Sequence, residues 1–246
     1  MIELNNVDYS DLKKFINENI SEFHKSRVQA IKGLKLKDML KRKNPYLFKA
    51  KNILTSEQII RNVFDAYLSS QEETLFGNFL EKVAIFVCSK VYEGKKSTLR
   101  GMDLEFEKDS KLYIVSIKSG PNWANSDQTH KMIENFKEAK DTFKFKDSSK
   151  EIIAVNGCCY GKCYKINDEY VKICGKKFWE LISGDSMLFI KIIEPLGYKA
   201  KQRNKEFLEE YSKVINKFAL EFGNDFSNED GSVNWGKWVN FVSGDK

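Results

Sequence analysis

From residue 8 to about residue 43, apolar positions recur at helical spacing, with Leu12, Phe15, Ile16, Ile20 and Phe23 followed by Val28 and Ile31. Charged residues fill the positions between them, as on an amphipathic helix. Gly33 divides this stretch into two helices, and Asn44-Pro45 stops it, because the residue before proline disfavours helical backbone. Thr55-Ser56-Glu57 then opens a helix carrying Ile59, Ile60, Val63, Phe64, Tyr67 and Leu68. Ser69 or Ser70 caps a further helix, with acids in its first turn and apolar residues running on to Tyr92.

The period then changes. Leu99 to Phe106 and Lys111 to Lys118 alternate at every second residue, and residues 107–110 join them, which predicts a β-hairpin. The loop GPNWANSDQ leads into a helix from near Ser126 to about Phe145. EIIAVNGCCYG reads as a buried strand, KCYKIN and EYVKI as a short hairpin, and KKFWELIS and SMLFIKIIEPLG as short helices. Residues 200–222 form a long amphipathic helix. The tail from Asn224 to Lys246 sets Trp235 and Trp238 among polar residues and shows no period that assigns an element. No repeat or low-complexity linker interrupts the chain. Helices, hairpin, helix, strand and helices in that order predict an α/β fold with a central sheet covered by helices.

The 246 residues are 41% apolar and 31% charged, enough to bury a core unaided. No run approaches the ~18 apolar residues of a membrane span. MIELNNVDYSDLKKF lacks a basic region followed by an apolar run, so a cytoplasmic location is expected. The net charge of +6 suits a partner with a phosphate backbone. Lys32, Lys35, Lys37, Lys41, Arg42, Lys43, Lys49 and Lys51 crowd one segment, and Lys95, Lys96 and Arg100 precede Asp103. Five cysteines, an odd number, do not suggest a disulfide framework. Cys158, Cys159, Cys163 and Cys174 lack a CxxC pair and a nearby histidine, so buried thiols are preferred to a zinc site.

Arg100-Gly101-Met102-Asp103-Leu104-Glu105 faces Val115-Ser116-Ile117-Lys118 across the hairpin. Alternate strand residues share a face, so Asp103 points with Glu105 and Ser116 with Lys118. Antiparallel pairing then sets a carboxylate beside an ammonium. Phosphodiester hydrolysis uses that pair: carboxylates hold Mg²⁺, while a lysine serves the attacking water and the pentacoordinate phosphorus. A plain solvated hairpin is the alternative. Against it stand Gly101 beside the acid and Ser119-Gly120-Pro121-Asn122-Trp123 directly after the lysine, loop chemistry that usually serves a site.

RGMDLEF…YIVSIKSGPNWANSDQ resembles the catalytic core of PD-(D/E)XK nucleases, in detail the PmeII-like type II restriction endonucleases. KRKNPYLFKAKNI, SSQEETLFGNFLEKVAIFV, CCYGK and CGKKFWELISG resemble that subgroup in the same order, across roughly residues 40–197. The resemblance implies a restriction-endonuclease-like core with a mixed central sheet at residues 56–200. A helical N-terminal region (1–55) for DNA contact or dimerisation and a helical C-terminal region (201–246) flank it. It implies a homodimer that cuts double-stranded DNA at a specific site with Mg²⁺. The cut would leave 5′-phosphate and 3′-hydroxyl ends, and a cognate DNA methyltransferase would accompany the enzyme. A structure-specific or repair nuclease of the same fold, or a non-catalytic DNA-binding protein on it, are the other readings.

Carried over onto this sequence, Asp103 matches the first acid and Lys118 the lysine. The triplet between them departs from the pattern, because Ser116 stands where a carboxylate is expected and cannot be a charged metal ligand. Glu81, in GNFLEKVA, resembles the helix glutamate that some superfamily members bring to the metal, and is the first candidate for the missing acid. Glu105 is second and Glu134 third. Ser116 and Ser119 are candidates to bond a water or a phosphate. Asn122, Asn125 and Gln128 are candidates for base edges or phosphate, with turn chemistry as the alternative. Lys41, Arg42, Lys43 and Arg100 are candidates for the DNA backbone. Trp123 is read as a packing anchor, and His24 and His130 as uninvolved in catalysis.

Overall fold

A computed structural model describes residues 7–146 and 149–245. The chain folds as two compact units, Met1–Ser21 with Phe76–Tyr198, and Glu22–Leu75 with Lys199–Lys246.

The first unit holds a six-stranded mixed sheet. Its strands are β1 (Lys95–Lys96), β2 (Leu104–Lys108), β3 (Lys111–Lys118), β4 (Glu151–Cys158), β5 (Tyr164–Ile166) and β6 (Val171–Cys174), ordered β1-β2-β3-β4-β6-β5. β3, β4 and β6 run parallel, and the outer pairings are antiparallel. The expected hairpin is β2–β3, but its turn is only Asp109-Ser110, both at positive φ, where residues 107–110 were expected. Two residues in that conformation match the twist of the flanking strands, so Glu107 and Lys108 stay paired. The first strand begins at Leu104 rather than Leu99, because Met102 N–H turns back to the Leu99 carbonyl and Gly101 adopts φ +74°.

Helix α5 (Ser126–Lys146) is the crossover that two parallel strands require. Its Met132, Phe136 and Ala139 pack with Leu112 and Ile114 of β3 and Ala154 of β4. The alternate β3 residues, Val115 and Ile117, are buried as well, as expected of a sheet covered on both faces. Gly157 of β4 meets the Phe178 ring of α6 (Lys176–Ser183), where a Cβ would come within 2.3 Å. The short helices α7 (Leu188–Lys191) and α8 (Ile193–Leu196) follow.

The second unit is helical. It comprises the later part of α1 (Tyr9–Lys32), α2 (Leu36–Leu40), α3 (Pro45–Ala50), the first part of α4 (Ser56–Tyr92), α9 (Ala200–Phe226) and α10 (Trp235–Ser243). Gly33 does separate α1 from α2. Asn44-Pro45, however, starts a helix as well as ending one: the Asn44 side chain accepts the Tyr46 N–H at 3.0 Å, and proline takes the first helical position. No break occurs at Ser69 or Ser70, and α4 runs unbroken for 37 residues. Neither serine is accompanied by a proline or glycine that would end the preceding turn. The tail that lacked a periodic signal supplies the centre of this core. Trp238 is fully buried, its ring centroid 5.4 Å from Phe48 and 5.5 Å from Phe222.

Candidate active site

Asp103 immediately precedes β2, where its N–H bonds the Val115 carbonyl at 2.8 Å and its Oδ2 accepts the Ile117 N–H at 2.6 Å. Lys118 ends β3, and its Nζ stands 3.9 Å from Asp103 Oδ2 and 5.1 Å from the centroid of the Trp123 ring. Both side chains are partly buried. Burial pushes the Asp103 carboxyl above its usual range. The Lys118 charge and the Ile117 N–H pull it back, and the like charge of Glu81 adds to the rise. Glu81, on α4, therefore lies within electrostatic reach of Asp103. It is mostly buried and bonded to Lys96 Nζ at 3.2 Å. A carboxylate this far from solvent is unfavourable without a cation, and Lys96 supplies one.

Ser116 is 1% exposed and lies between the two β3 residues whose backbone groups hold Asp103. Asp103, Lys118, Glu81 and Ser116 are thus brought together by one hairpin end and one helix.

The other two acids are held elsewhere. Glu105 is buried, and its Oε1 accepts the Ser97 hydroxyl at 2.5 Å while its Oε2 stands 3.9 Å from Lys95. It lines a cavity of about 500 Å³ with Tyr92, Glu93 and Phe106. Glu134 is exposed on α5 and paired with Lys131 at 2.9 Å. Ser119 is half-buried, and Asn122 and Arg100 are exposed. Asn125 and Gln128 form a reciprocal cap on α5. The Asn125 side chain accepts the Gln128 N–H at 2.9 Å, and the Gln128 side chain accepts the Asn125 N–H at 3.0 Å. Lys41, Arg42 and Lys43 belong to the helical unit, at its surface.

Three neighbours of the cluster were not assigned to it from the sequence, although Lys96 was named there among the basic residues. Lys96 pairs with Glu81, and the Ile117 N–H holds Asp103. Asn156 of β4 is directly paired with Ser116 and is 2% exposed. An amide inside the apolar run EIIAVNG was the available signal for Asn156, whereas Lys96 needed the pairing of β1 with β2. Among the described residues, no group of three or more histidine, cysteine, aspartate or glutamate side chains is arranged to hold a metal ion. Of the cysteines, Cys163 is partly exposed and the other four are buried.

Residues 10–204 match the family model described as type II restriction endonuclease EcoO109I. The chain belongs to that family. Its six-stranded mixed sheet flanked by helices agrees with a restriction-endonuclease-like fold. Family membership makes the chain a DNA endonuclease of the restriction type. No curated protein matches the chain. Among the described residues, no helix is long and apolar enough to cross a membrane.

Proposed function

We propose that this family member hydrolyses double-stranded DNA at a specific site with Mg²⁺, Asp103 and Glu81 holding the ion and Lys118 serving the attacking water. The observation that carries the reading is the approach of Lys118 Nζ to within 3.9 Å of an Asp103 carboxylate that burial disfavours and Glu81 disfavours further. Two partly buried carboxylates that repel one another, each with a lysine beside it, form a hard oxygen donor set. That fits Mg²⁺, which in phosphoryl-transfer sites is commonly held by one or two carboxylates and the substrate phosphate. When bound, the ion would neutralise charge developing on phosphorus and lower the pKa of a coordinated water.

The chain's own groups have separate roles in this reading. Ile117 N–H fixes one Asp103 oxygen and leaves the other free for the ion. The Lys118 ammonium orients the water for in-line attack and steadies the negative charge on the pentacoordinate phosphorus. Breaking the bond to the 3′ oxygen leaves 5′-phosphate and 3′-hydroxyl ends. Ser119 contributes its hydroxyl to water or phosphate, while Ser116, buried between the two residues that hold Asp103, is not presented to either, and Asn122 and Arg100 contribute exposed contacts to DNA. Because Asn125 and Gln128 are occupied in the α5 cap, their part is to hold the loop after Lys118 in place. The resemblance of its strings to PmeII-like enzymes supports a homodimer on a symmetric site, with the helical terminal regions serving DNA contact or dimerisation and a cognate DNA methyltransferase as companion.

The test is incubation of the full chain with Mg²⁺ and phage DNA, followed by sequencing of the fragment ends. Discrete fragments with a common end sequence are expected, and none from Asp103→Ala or Lys118→Ala. DNA that is bound but never cut, in any divalent cation, would favour a non-catalytic binding protein on this fold.

A further inference from the structure

No acidic residue occurs between Asp38 and Glu57, yet that stretch carries Lys41, Arg42, Lys43, Lys49 and Lys51. Among the described residues none of these five ends in an ion pair, whereas nearby Lys32 and Lys37 are held by Glu210 and Asp225. Amid this uncompensated charge the chain exposes three large apolar side chains, Tyr46 at 63%, Leu47 at 53% and Leu54 at 65%. The segment is firmly seated. Pro45, Phe48 and Ile53 are buried, with Phe48 against Trp238, and Asn44 caps α3. Lys49 lies over the Trp235 ring at 5.3 Å. A helix seated on the core thus leaves two adjacent apolar side chains exposed within a stretch whose cations have no carboxylate partner among the described residues.

Single exposed apolar residues need no explanation, but a clustered patch marks a contact surface. The charge around the patch selects its partner. A second copy of the chain, meeting this face about a two-fold axis, would set five cations against five. A bilayer surface is poorly matched, because helices that lie on membranes present a far longer apolar face than the six residues of α3. Duplex DNA offers phosphates for the cations and, between them, a groove wide enough for one helix, where base edges and thymine methyls give apolar contact.

We propose that the outward face of α3 docks on duplex DNA, Tyr46 and Leu47 contacting base edges while Lys49, Lys51 and residues 41–43 hold the flanking phosphates. The proposal rests on the nuclease reading and adds to it a second, non-electrostatic contact outside the Asp103 cluster.

Salt separates the two kinds of contact. Each phosphate neutralised contributes about −0.9 to the slope of log K against log salt, whereas an apolar contact contributes nothing to it. Binding of a duplex fragment by the full chain is measured without divalent metal at several salt concentrations, with circular dichroism as the control for folding. Tyr46→Ser with Leu47→Ser is expected to weaken binding roughly tenfold at every salt concentration with the slope unchanged. Lys49→Ala with Lys51→Ala is expected to make the slope shallower by about 2. The surface assignment is overturned if the Tyr46→Ser, Leu47→Ser chain binds DNA as the wild type does. It is equally overturned if that chain loses only self-association in light scattering, or only adhesion to phosphatidylserine vesicles. A wild-type chain that binds no duplex even at low salt overturns the nuclease reading, and this surface with it.

Discussion

The Ile117 N–H donates to Asp103 Oδ2 at 2.6 Å, so the residue beside the lysine holds the acid of the same site. That bond fixes one oxygen, but it does not compensate for burial, since the Asp103 carboxyl stays above its usual range. An acid whose pKa is raised on folding costs stability in its ionised form, at pH values above that pKa. Asp103→Asn keeps an acceptor for Ile117 and removes the charge. The metal-free protein is expected to gain about 2 °C in Tm, while cleavage is lost. Addition of Mg²⁺ should raise the Tm of the wild type and leave that of the variant unchanged. A variant less stable than wild type would show that Asp103 is stabilised by Lys118 rather than strained.

Glu81→Gln is nearly isosteric and is expected to lower the cleavage rate at least ~100-fold, as positioned catalytic groups commonly contribute. Glu134→Gln should be close to neutral, because that acid is exposed and paired with Lys131. Glu105→Gln should act on stability before rate, since it weakens the buried bond to Ser97. Single-turnover rates and Tm values for the three variants rank them, and a fully active Glu81→Gln enzyme moves the second acid elsewhere.

Gly101→Ala should cost roughly 1–2 kcal/mol of stability. Gly101 has φ +74°, and a Cβ there would come within 2.2 Å of the Asn135 side chain. Asp103 lies two residues on, so cleavage should fall as well, which urea unfolding and a rate measurement would show together.

His24 is kept neutral. Burial, then the charges of Arg27 and Arg203, push its pKa down to about 4. An unfolded imidazole titrates near ~6.5, so below that pH protonation favours the unfolded chain. The contribution is complete above pH ~6.5 and is lost as the pH falls toward about 4. His24→Gln should therefore flatten the decline of Tm between pH 7 and pH 4.5 relative to the wild type, with little change at pH 8.

Burial pushes the Cys158 thiol up to about 12 and raises those of Cys88 and Cys159 further. Thiolates are the reactive form, so these side chains should resist alkylation in the folded protein. Iodoacetamide at pH 8 followed by mass spectrometry should label Cys163, the partly exposed one, well ahead of the rest.

Elements carried by local physics were legible in the sequence: the break at Gly33, the β2–β3 pair and the crossover helix α5 that follows it. The closeness of Asp103 and Lys118 was legible too, because a tight hairpin sets their register within a few residues. What depended on distant segments was not. Glu105 shares strand parity with Asp103, but the short edge strand β1 pairs beside it and brings Ser97 to its carboxylate. Glu81 comes within electrostatic reach of Asp103 because the later part of α4 belongs to the same unit as the hairpin, a placement that no local signal around Glu81 announces. Trp238, among polar neighbours in the chain, becomes core because Phe48 and Phe222 meet around it. Periodicity and turn chemistry act over a few residues, and so the sequence alone determined the hairpin and its acid–lysine pair. Which second carboxylate stands near that pair, and which aromatics close the helical core, depended on contacts between segments tens of residues apart, and only the tertiary structure decided them.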